Sequence, residues 1–228
     1  MHNAEDLKRL GIGFACKKGL KPEAPNQDDF SIIWYDPYRM YCVFDGHGPY
    51  GHEVSNHCQQ MLPQEIVKVM EEFPSGHPEH DKAIKEAFYN VQTSVGQVSR
   101  AQQQFDATLS GTTATAVWHD NENLHCAHVG DSRAVLGMLP DPESNKNVAQ
   151  DLSEDHKPEL PEETCRINAN GGEVKKMPGD IPHRVFARGQ FYPGYVFYVL
   201  ITVIFNFDFI QTCNYKFVCK KKTGWPCL

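Results

Sequence analysis

Residues 40–48 read Met-Tyr-Cys-Val-Phe-Asp-Gly-His-Gly, a short apolar run that ends on a carboxylate, an imidazole and two glycines. An apolar run that stops at a glycine turn predicts a buried β-strand. The oxygen atoms of the Asp45 side chain and of the Gly46 carbonyl suit a hard divalent cation, and His47 can carry a proton near neutral pH. The alternative interpretation is a polar turn that only caps the strand.

An upstream segment adds a pair of carboxylates to the single one at Asp45. Residues 25–30 read Pro-Asn-Gln-Asp-Asp-Phe and lead into the apolar residues 31–34, so Asp28 and Asp29 open another predicted strand. If this strand lies beside the first, it brings acidic side chains close to Asp45.

A third acidic position follows a predicted hairpin. Residues 111–118 and 124–129 are rich in β-forming residues and are separated by turn-forming ones, which predicts two antiparallel strands. Asp131 comes directly after Gly130 inside a further strand pattern. An aspartate inside a strand is unfavourable unless a partner compensates it, so this residue is a candidate site residue.

Helical patterns connect the predicted strands. Apolar residues recur at three- and four-residue steps over residues 84–98, which predicts an amphipathic helix. A second helical pattern over residues 53–73 contains Pro63, where we predict a break. Pro161 is typical of the first turn of a third helix that ends near residues 171–172. Strands covered by helices predict an α+β fold.

The acidic and glycine-rich segments described above, taken in their order along the chain, resemble the metal-dependent serine/threonine protein phosphatases of type 2C, the PPM family, in their plant and protist form. The resemblance covers residues 11–194 and implies a β-sandwich of two antiparallel sheets flanked by helices, incomplete at its C-terminal side. The segments that carry it are Asn26-Gln27-Asp28 and residues 44–52, 110–114, 129–134, 155–158, 166–172 and 184–194.

The resemblance implies hydrolysis of phosphoserine and phosphothreonine in proteins by a water molecule that two Mg²⁺ or Mn²⁺ ions activate. Asp45 would bridge the two ions, while Asp28 would bind one ion and the Gly46 carbonyl the other. His47 would be the general acid that gives its proton to the leaving seryl or threonyl oxygen. Asp131 matches a position associated with a third, weaker ion.

Some of these roles have alternatives. His47 could instead orient a metal ligand, and Asp131 could instead pair with Arg133. Asp29 follows Asp28 directly, which leaves the assignment of the first acidic residue uncertain by one position.

A cation is also needed to neutralise the substrate phosphate. The family often places an arginine ahead of its first acidic motif, whereas this chain has only lysines there. A lysine acts as a point charge and cannot form the paired hydrogen bonds of a guanidinium. We select Lys21 for this role over Lys17 and Lys18.

The character of the sequence changes after Gly194, and we predict a boundary between a partial phosphatase domain at 1–194 and an unrelated tail at 195–228 that comes from splicing or a gene-model error. The family's later Asp-Gly and Asp-Asn acids do not follow. The alternative function is therefore a truncated, inactive phosphatase, or a pseudophosphatase that binds partners without turnover. Residues 195–205 are shorter than the roughly 20 apolar residues that span a bilayer, so membrane association through 195–210 is only an alternative. A further alternative is a single buried or aggregation-prone strand, because the stretch is rich in β-forming residues and low in charge.

Composition limits the remaining classes of function. The 228 residues include 22 basic and 29 acidic ones and carry a formal net charge of −7, which argues against nucleic acid as a partner. The 8 cysteines form no Cys-x-x-Cys pair, so we expect reduced thiols. The N-terminal residues are charged and do not resemble a targeting signal. We expect a cytoplasmic or nuclear monomer that acts on phosphoproteins.

Overall fold

The computed structural model describes residues 4–19, 25–101, 105–119, 123–138, 148–176, 183–189 and 217–220. The helices are α1 (Ala4–Arg9), α2 (Gly51–Glu72), α3 (His80–Arg100) and α4 (Pro161–Ala169). The strands are β1 (Asp28–Tyr35), β2 (Tyr38–His47), β3 (Gly111–Thr112), β4 (Ala114–His119), β5 (Leu124–Val129), β6 (Arg133–Met138), β7 (Val148–Asp151), β8 (Gly172–Lys176), β9 (His183–Ala187) and β10 (Phe217–Lys220).

The described strands form antiparallel sheets, which confirms the predicted α+β class. The largest sheet has the order β1-β2-β4-β5, with β3 paired to the end of β2. A second sheet has the order β10-β6-β7, and β8 pairs with β9 in a separate ribbon. Strands β4 and β5 are the predicted hairpin, and α3 covers the predicted amphipathic segment.

The main core lies between the largest sheet and the helices α2 and α3. Because side chains alternate between the two faces of a strand, every second residue of β2 and β4 faces these helices. The residues that the sheet contributes include Met40, Cys42, Phe44, Ala114, Ala116 and Trp118, and those from the helices include Val54, Leu62, Ile66, Ile84 and Phe88.

A second core lies on the opposite face of the same sheet. Val117, Leu124 and Cys126 of the largest sheet pack there with Ala134 and Leu136 of β6, joined by Leu152. Strands β4 and β5 are therefore buried on both faces. The helices, the large sheet and the β6 sheet form successive layers.

The predicted helix break at Pro63 is wrong, because α2 continues from Gly51 to Glu72 with this proline inside it. A proline in a helix interior costs about 3 kcal/mol, since it removes one hydrogen bond and crowds the preceding turn. Burial of an apolar side chain contributes about 1.5–3 kcal/mol. The face of α2 that carries the proline buries enough of them to offset this cost: Val54, Cys58, Leu62, Ile66 and Met70.

Part of the predicted tail is visible as a strand. Residues Phe217–Lys220 form β10, which pairs with β6 in antiparallel register. Residues 195–216 and 221–228 lie outside the described part of the chain, so the predicted domain boundary stays a prediction. Within the described ranges, no helix has both the length and the apolar character needed to cross a membrane.

Candidate metal and active site

Two of the predicted acidic residues lie opposite each other on neighbouring strands. In the antiparallel register of β1 and β2, Asp28 pairs with Asp45. Residues that are directly opposite in such a pair share one face of the sheet, with Cβ atoms about 5 Å apart. Both aspartates line a cavity of about 130 Å³, together with Lys17 and Ser132. The structure therefore brings together two carboxylates that the sequence only suggested would meet.

Asp29, the neighbour of Asp28, also lines this cavity, but both oxygens of its carboxylate accept hydrogen bonds from other residues. Its cross-strand partner is Phe44. One of its carboxylate oxygens accepts a hydrogen bond from the Phe30 N–H at 2.8 Å, and the other accepts one from the side-chain amide of Asn56 at 3.2 Å. This arrangement favours Asp28 as the partner of Asp45.

Glycine is required where β2 turns into α2. A side chain at Gly46 would collide with the backbone carbonyl oxygens of Gln27 and Gly51, and one at Gly48 would collide with that of Leu109. Gly48 also has a φ of +86°, which favours glycine. The chain consequently reverses tightly beside Asp45 and starts α2 at the site.

Gln27 holds this turn in place with both its backbone and its side chain. Its carbonyl oxygen accepts a hydrogen bond from the Gly46 N–H at 3.0 Å. Its side-chain amide donates to the carbonyl oxygen of Gly48 at 2.6 Å. The residue before Asp28 therefore orders the backbone on which Asp45 and His47 are carried.

His47 is the next residue of β2 on the same face as Asp45, and it is partly buried. Burial lowers the pKa of its imidazole, while a hydrogen bond to the Asp45 backbone and the negative charges of Asp45 and Asp131 act in the opposite direction. The positive charge of Arg184 lowers this pKa further. The net result is a pKa below the ordinary value, so protonated His47 is a stronger acid than a solvated histidine.

Asp131 lies at the end of the hairpin strand β5, after Gly130, whose φ is +98°. It is exposed, and its charge acts on His47, which places it at the border of the site. Among the described residues, the ion pairs of Arg133 do not include Asp131, so the alternative pairing of these two residues is not found. The guanidinium of Arg133 instead contacts the carboxylates of Asp155 at 2.9 Å and Asp151 at 3.1 Å.

The donor atoms fit a hard divalent cation as a partial ligand set. Mg²⁺ prefers oxygen ligands, usually takes one or two carboxylates and keeps several water molecules, a requirement that Asp28, Asp45 and the Gly46 carbonyl can meet. Among the residues that the structure describes, no group of three or more His, Cys, Asp or Glu side chains is arranged to hold a metal ion.

Two cationic side chains of the described residues, Lys17 and Arg184, act near the site. Lys21 lies outside the described residues, so its role stays a prediction. Lys17 lines the cavity beside Asp28 and Asp45. Arg184 of β9 acts electrostatically on His47. Sequence reasoning assigned no role to Arg184, although it lies in a segment that carried the family resemblance.

Comparisons with known proteins show the family of this chain. A sequence model of the family described as Protein phosphatase 2C matches residues 32–187. The chain is 30% identical over 207 residues to a probable protein phosphatase 2C 35 of Arabidopsis thaliana, which covers 79% of this chain and 56% of that protein. It is 38% identical over 139 residues to protein phosphatase 2C homolog 3 of Schizosaccharomyces pombe, covering 61% of this chain and 30% of that protein.

A solved structure shares the fold. The crystal structure of serine-threonine phosphatase 2C from Toxoplasma gondii aligns with a TM-score of 0.52 at 22% identity, and the alignment covers 67% of this chain and 52% of that one. The chain thus spans from about a third to about half of the length of these relatives. The chain belongs to the protein phosphatase 2C family.

Proposed function

We propose that this chain contributes to a protein serine/threonine phosphatase that hydrolyses phosphoserine and phosphothreonine in phosphoproteins. The observation that carries the proposal is the pairing of Asp28 with Asp45 across β1 and β2, with both residues lining one cavity. Two carboxylates this close repel each other, and a bound divalent cation relieves that repulsion. The family is metal-dependent, and we propose Mg²⁺ or Mn²⁺ as its cation here.

The roles proposed for the acidic residues are those that the family resemblance implies, and the pairing of Asp28 with Asp45 supports them. Asp28, Asp45 and the carbonyl of Gly46 would hold the ions, and Asp131 would hold a further, weaker one at the border. When bound, these cations lower the pKa of a water molecule and neutralise charge on the phosphoryl oxygens. Lys17, at the wall of the same cavity, would attract the phosphate group as a point charge.

His47 would hold the proton that the leaving group needs. As the bond between phosphorus and the seryl or threonyl oxygen breaks, that oxygen becomes strongly basic and must be protonated. The lowered pKa of His47 makes its protonated form a stronger acid and reduces the fraction that is protonated at neutral pH, so the rate should depend on pH through this residue. Its hydrogen bond to the Asp45 backbone keeps the imidazole beside the acidic pair.

Replacement of His47 tests this role directly. We expect His47→Gln to slow manganese-dependent hydrolysis of a phosphothreonine peptide by about a hundredfold, the usual contribution of a general acid. Hydrolysis of p-nitrophenyl phosphate should change much less, because nitrophenolate leaves without needing a proton. The measurement compares kcat for both substrates in the wild type, His47→Gln and a control, His77→Gln, which replaces an exposed histidine.

The two substrates make the result decisive. Equal loss on both substrates would argue that His47 orients a ligand and does not donate a proton. Wild-type chain that folds but releases no phosphate from either substrate at any Mn²⁺ concentration would contradict the proposed phosphatase activity of this chain.

A further inference from the structure

Thr113 lies between two turns of the candidate site that each carry an aspartate. We call them the acidic turns: the first follows Asp45, and the second is formed by Gly130–Ser132. Its backbone N–H donates a hydrogen bond to the Asp45 carbonyl at 3.0 Å. In return, the Asp45 N–H donates to the Thr113 hydroxyl oxygen Oγ1 at 3.0 Å. The backbone of Asp45 is therefore fixed on both sides by a single threonine that is 68 residues away in the sequence.

The same hydroxyl also reaches the second acidic turn. Thr113 Oγ1 and Ser132 Oγ form a hydrogen bond of 2.6 Å, and either hydroxyl can donate it. Ser132 directly follows Asp131, and its carbonyl oxygen accepts a further hydrogen bond from the Thr115 hydroxyl at 3.1 Å. Thr113 and Ser132 are 7% and 6% exposed, so water does not compete for these bonds.

The methyl group of Thr113 fixes the turn sterically as well. A Cβ atom added to Gly130 would lie 2.6 Å from Thr113 Cγ2, so the backbone before Asp131 rests directly on this methyl group. Thr113 thus contacts Asp45 through its backbone and hydroxyl, and the Gly130–Ser132 turn through its hydroxyl and methyl.

We propose that the hydroxyl pair of Thr113 and Ser132 positions the Asp45 and Asp131 backbones for metal binding. This inference rests on the proposed function, because it concerns the residues that would hold the ions. The pair is a set of positioning residues: neither hydroxyl needs to touch metal or substrate. Loss of the Thr113 hydroxyl leaves the partly buried Asp45 N–H without this acceptor, and the β2 terminus can then shift relative to Asp131.

The test measures the affinity for Mn²⁺ alone by isothermal titration calorimetry, with urea unfolding of each variant measured in parallel. We expect Thr113→Val, which keeps the shape and removes the hydroxyl, to weaken Mn²⁺ binding by about 10- to 100-fold, the usual effect of removing a group that orients metal ligands. Thr113→Ser restores the hydroxyl and should bind within about threefold of the wild type on the same scale.

A second variant keeps the test informative if Thr113→Val unfolds. Ser132→Ala removes the other hydroxyl and should also weaken Mn²⁺ binding. The double variant should lose less binding free energy than the two single losses add up to, since the two residues act as one unit. Ser94→Ala is the control, because it removes a hydroxyl that hydrogen-bonds His57 at 2.9 Å in the helical layer. It should leave Mn²⁺ affinity unchanged.

The outcomes separate this inference from the proposed function. Wild-type affinity in both Thr113→Val and Ser132→Ala, even with lower stability towards urea, would overturn the positioning role alone. Failure of the folded wild-type chain to bind Mn²⁺ would overturn the proposed function and this inference with it.

Discussion

Asp45→Asn should lower the manganese-dependent release of phosphate from a phosphothreonine peptide by about a thousandfold or more, because it removes a full negative charge from the proposed ion site. Asparagine has nearly the shape of aspartate, so β2 should keep its register with β1. Asp45 faces Asp28 and also lines the cavity that contains Lys17 and Ser132. Mn²⁺ affinity, measured by calorimetry on the same samples, should fall together with the rate.

The two acidic residues of β1 provide a matched control for this experiment. Asp28→Asn should share much of the loss, because its carboxylate faces Asp45. Asp29→Asn should stay near the wild-type rate, because the Asp29 carboxylate is bonded to the Phe30 N–H and the Asn56 amide. The opposite order, with Asp29→Asn inactive and Asp28→Asn active, would move the site by one residue. Full activity in Asp45→Asn would refute the proposed site.

Stability should fall as the solution is acidified from pH 6.5 towards pH 4, and His128 should be a main cause. This histidine is 1% exposed, and burial lowers its pKa to about 4, with a smaller contribution from His156, whose ring centre lies 4.7 Å away. The charge of Asp155 acts in the opposite direction. Folded His128 therefore stays neutral at a pH at which the unfolded chain already binds a proton.

The sign and size of the effect follow from this difference in proton binding. Because the unfolded chain binds more protons between the two pKa values, the free energy of unfolding rises with pH over that window and levels off above it. A shift from an ordinary pKa of about 6.5 to about 4 corresponds to about 3 kcal/mol. Burial also lowers the pKa of His156, which adds to the same trend.

Urea unfolding at several pH values between 4 and 7 checks this prediction. His128→Gln should reduce the loss of stability over the window, whatever its effect at pH 7, because glutamine does not titrate. His77→Gln, at an exposed position, should keep the wild-type slope. A slope in His128→Gln that equals the wild-type slope would show that other groups cause the acid sensitivity.

The residues that made the site predictable from sequence lie within short segments. The apolar run up to Asp45, the glycines that follow it and the acidic pair at Asp28 and Asp29 each have a local signature. Hydrophobic periodicity likewise predicted α3, and two runs of β-forming residues around a turn predicted the β4–β5 hairpin. These features depend on neighbours in the chain, so one sequence is enough to find them.

Features that depend on distant contacts could not be found in this way. The choice between Asp28 and Asp29 is set by the register of β1 on β2, and a shift of one residue would reverse it. The bonds of Thr113 join turns that are far apart in sequence, and the effect of Arg184 on His47 requires the β8–β9 ribbon to be in place. Helix α2 continues through Pro63, against the local prediction, because burial of its apolar face outweighs the local cost of a proline.

Strand β4 is covered by packed side chains on both faces, and Thr113 directly precedes its first residue, Ala114. Amide protons in such a strand exchange with solvent only when the whole domain opens. The scaffold behind the acidic turns is thus expected to be among the last parts of the molecule to exchange deuterium. Partial opening elsewhere, such as fraying of α1, would leave the separation of the two turns intact.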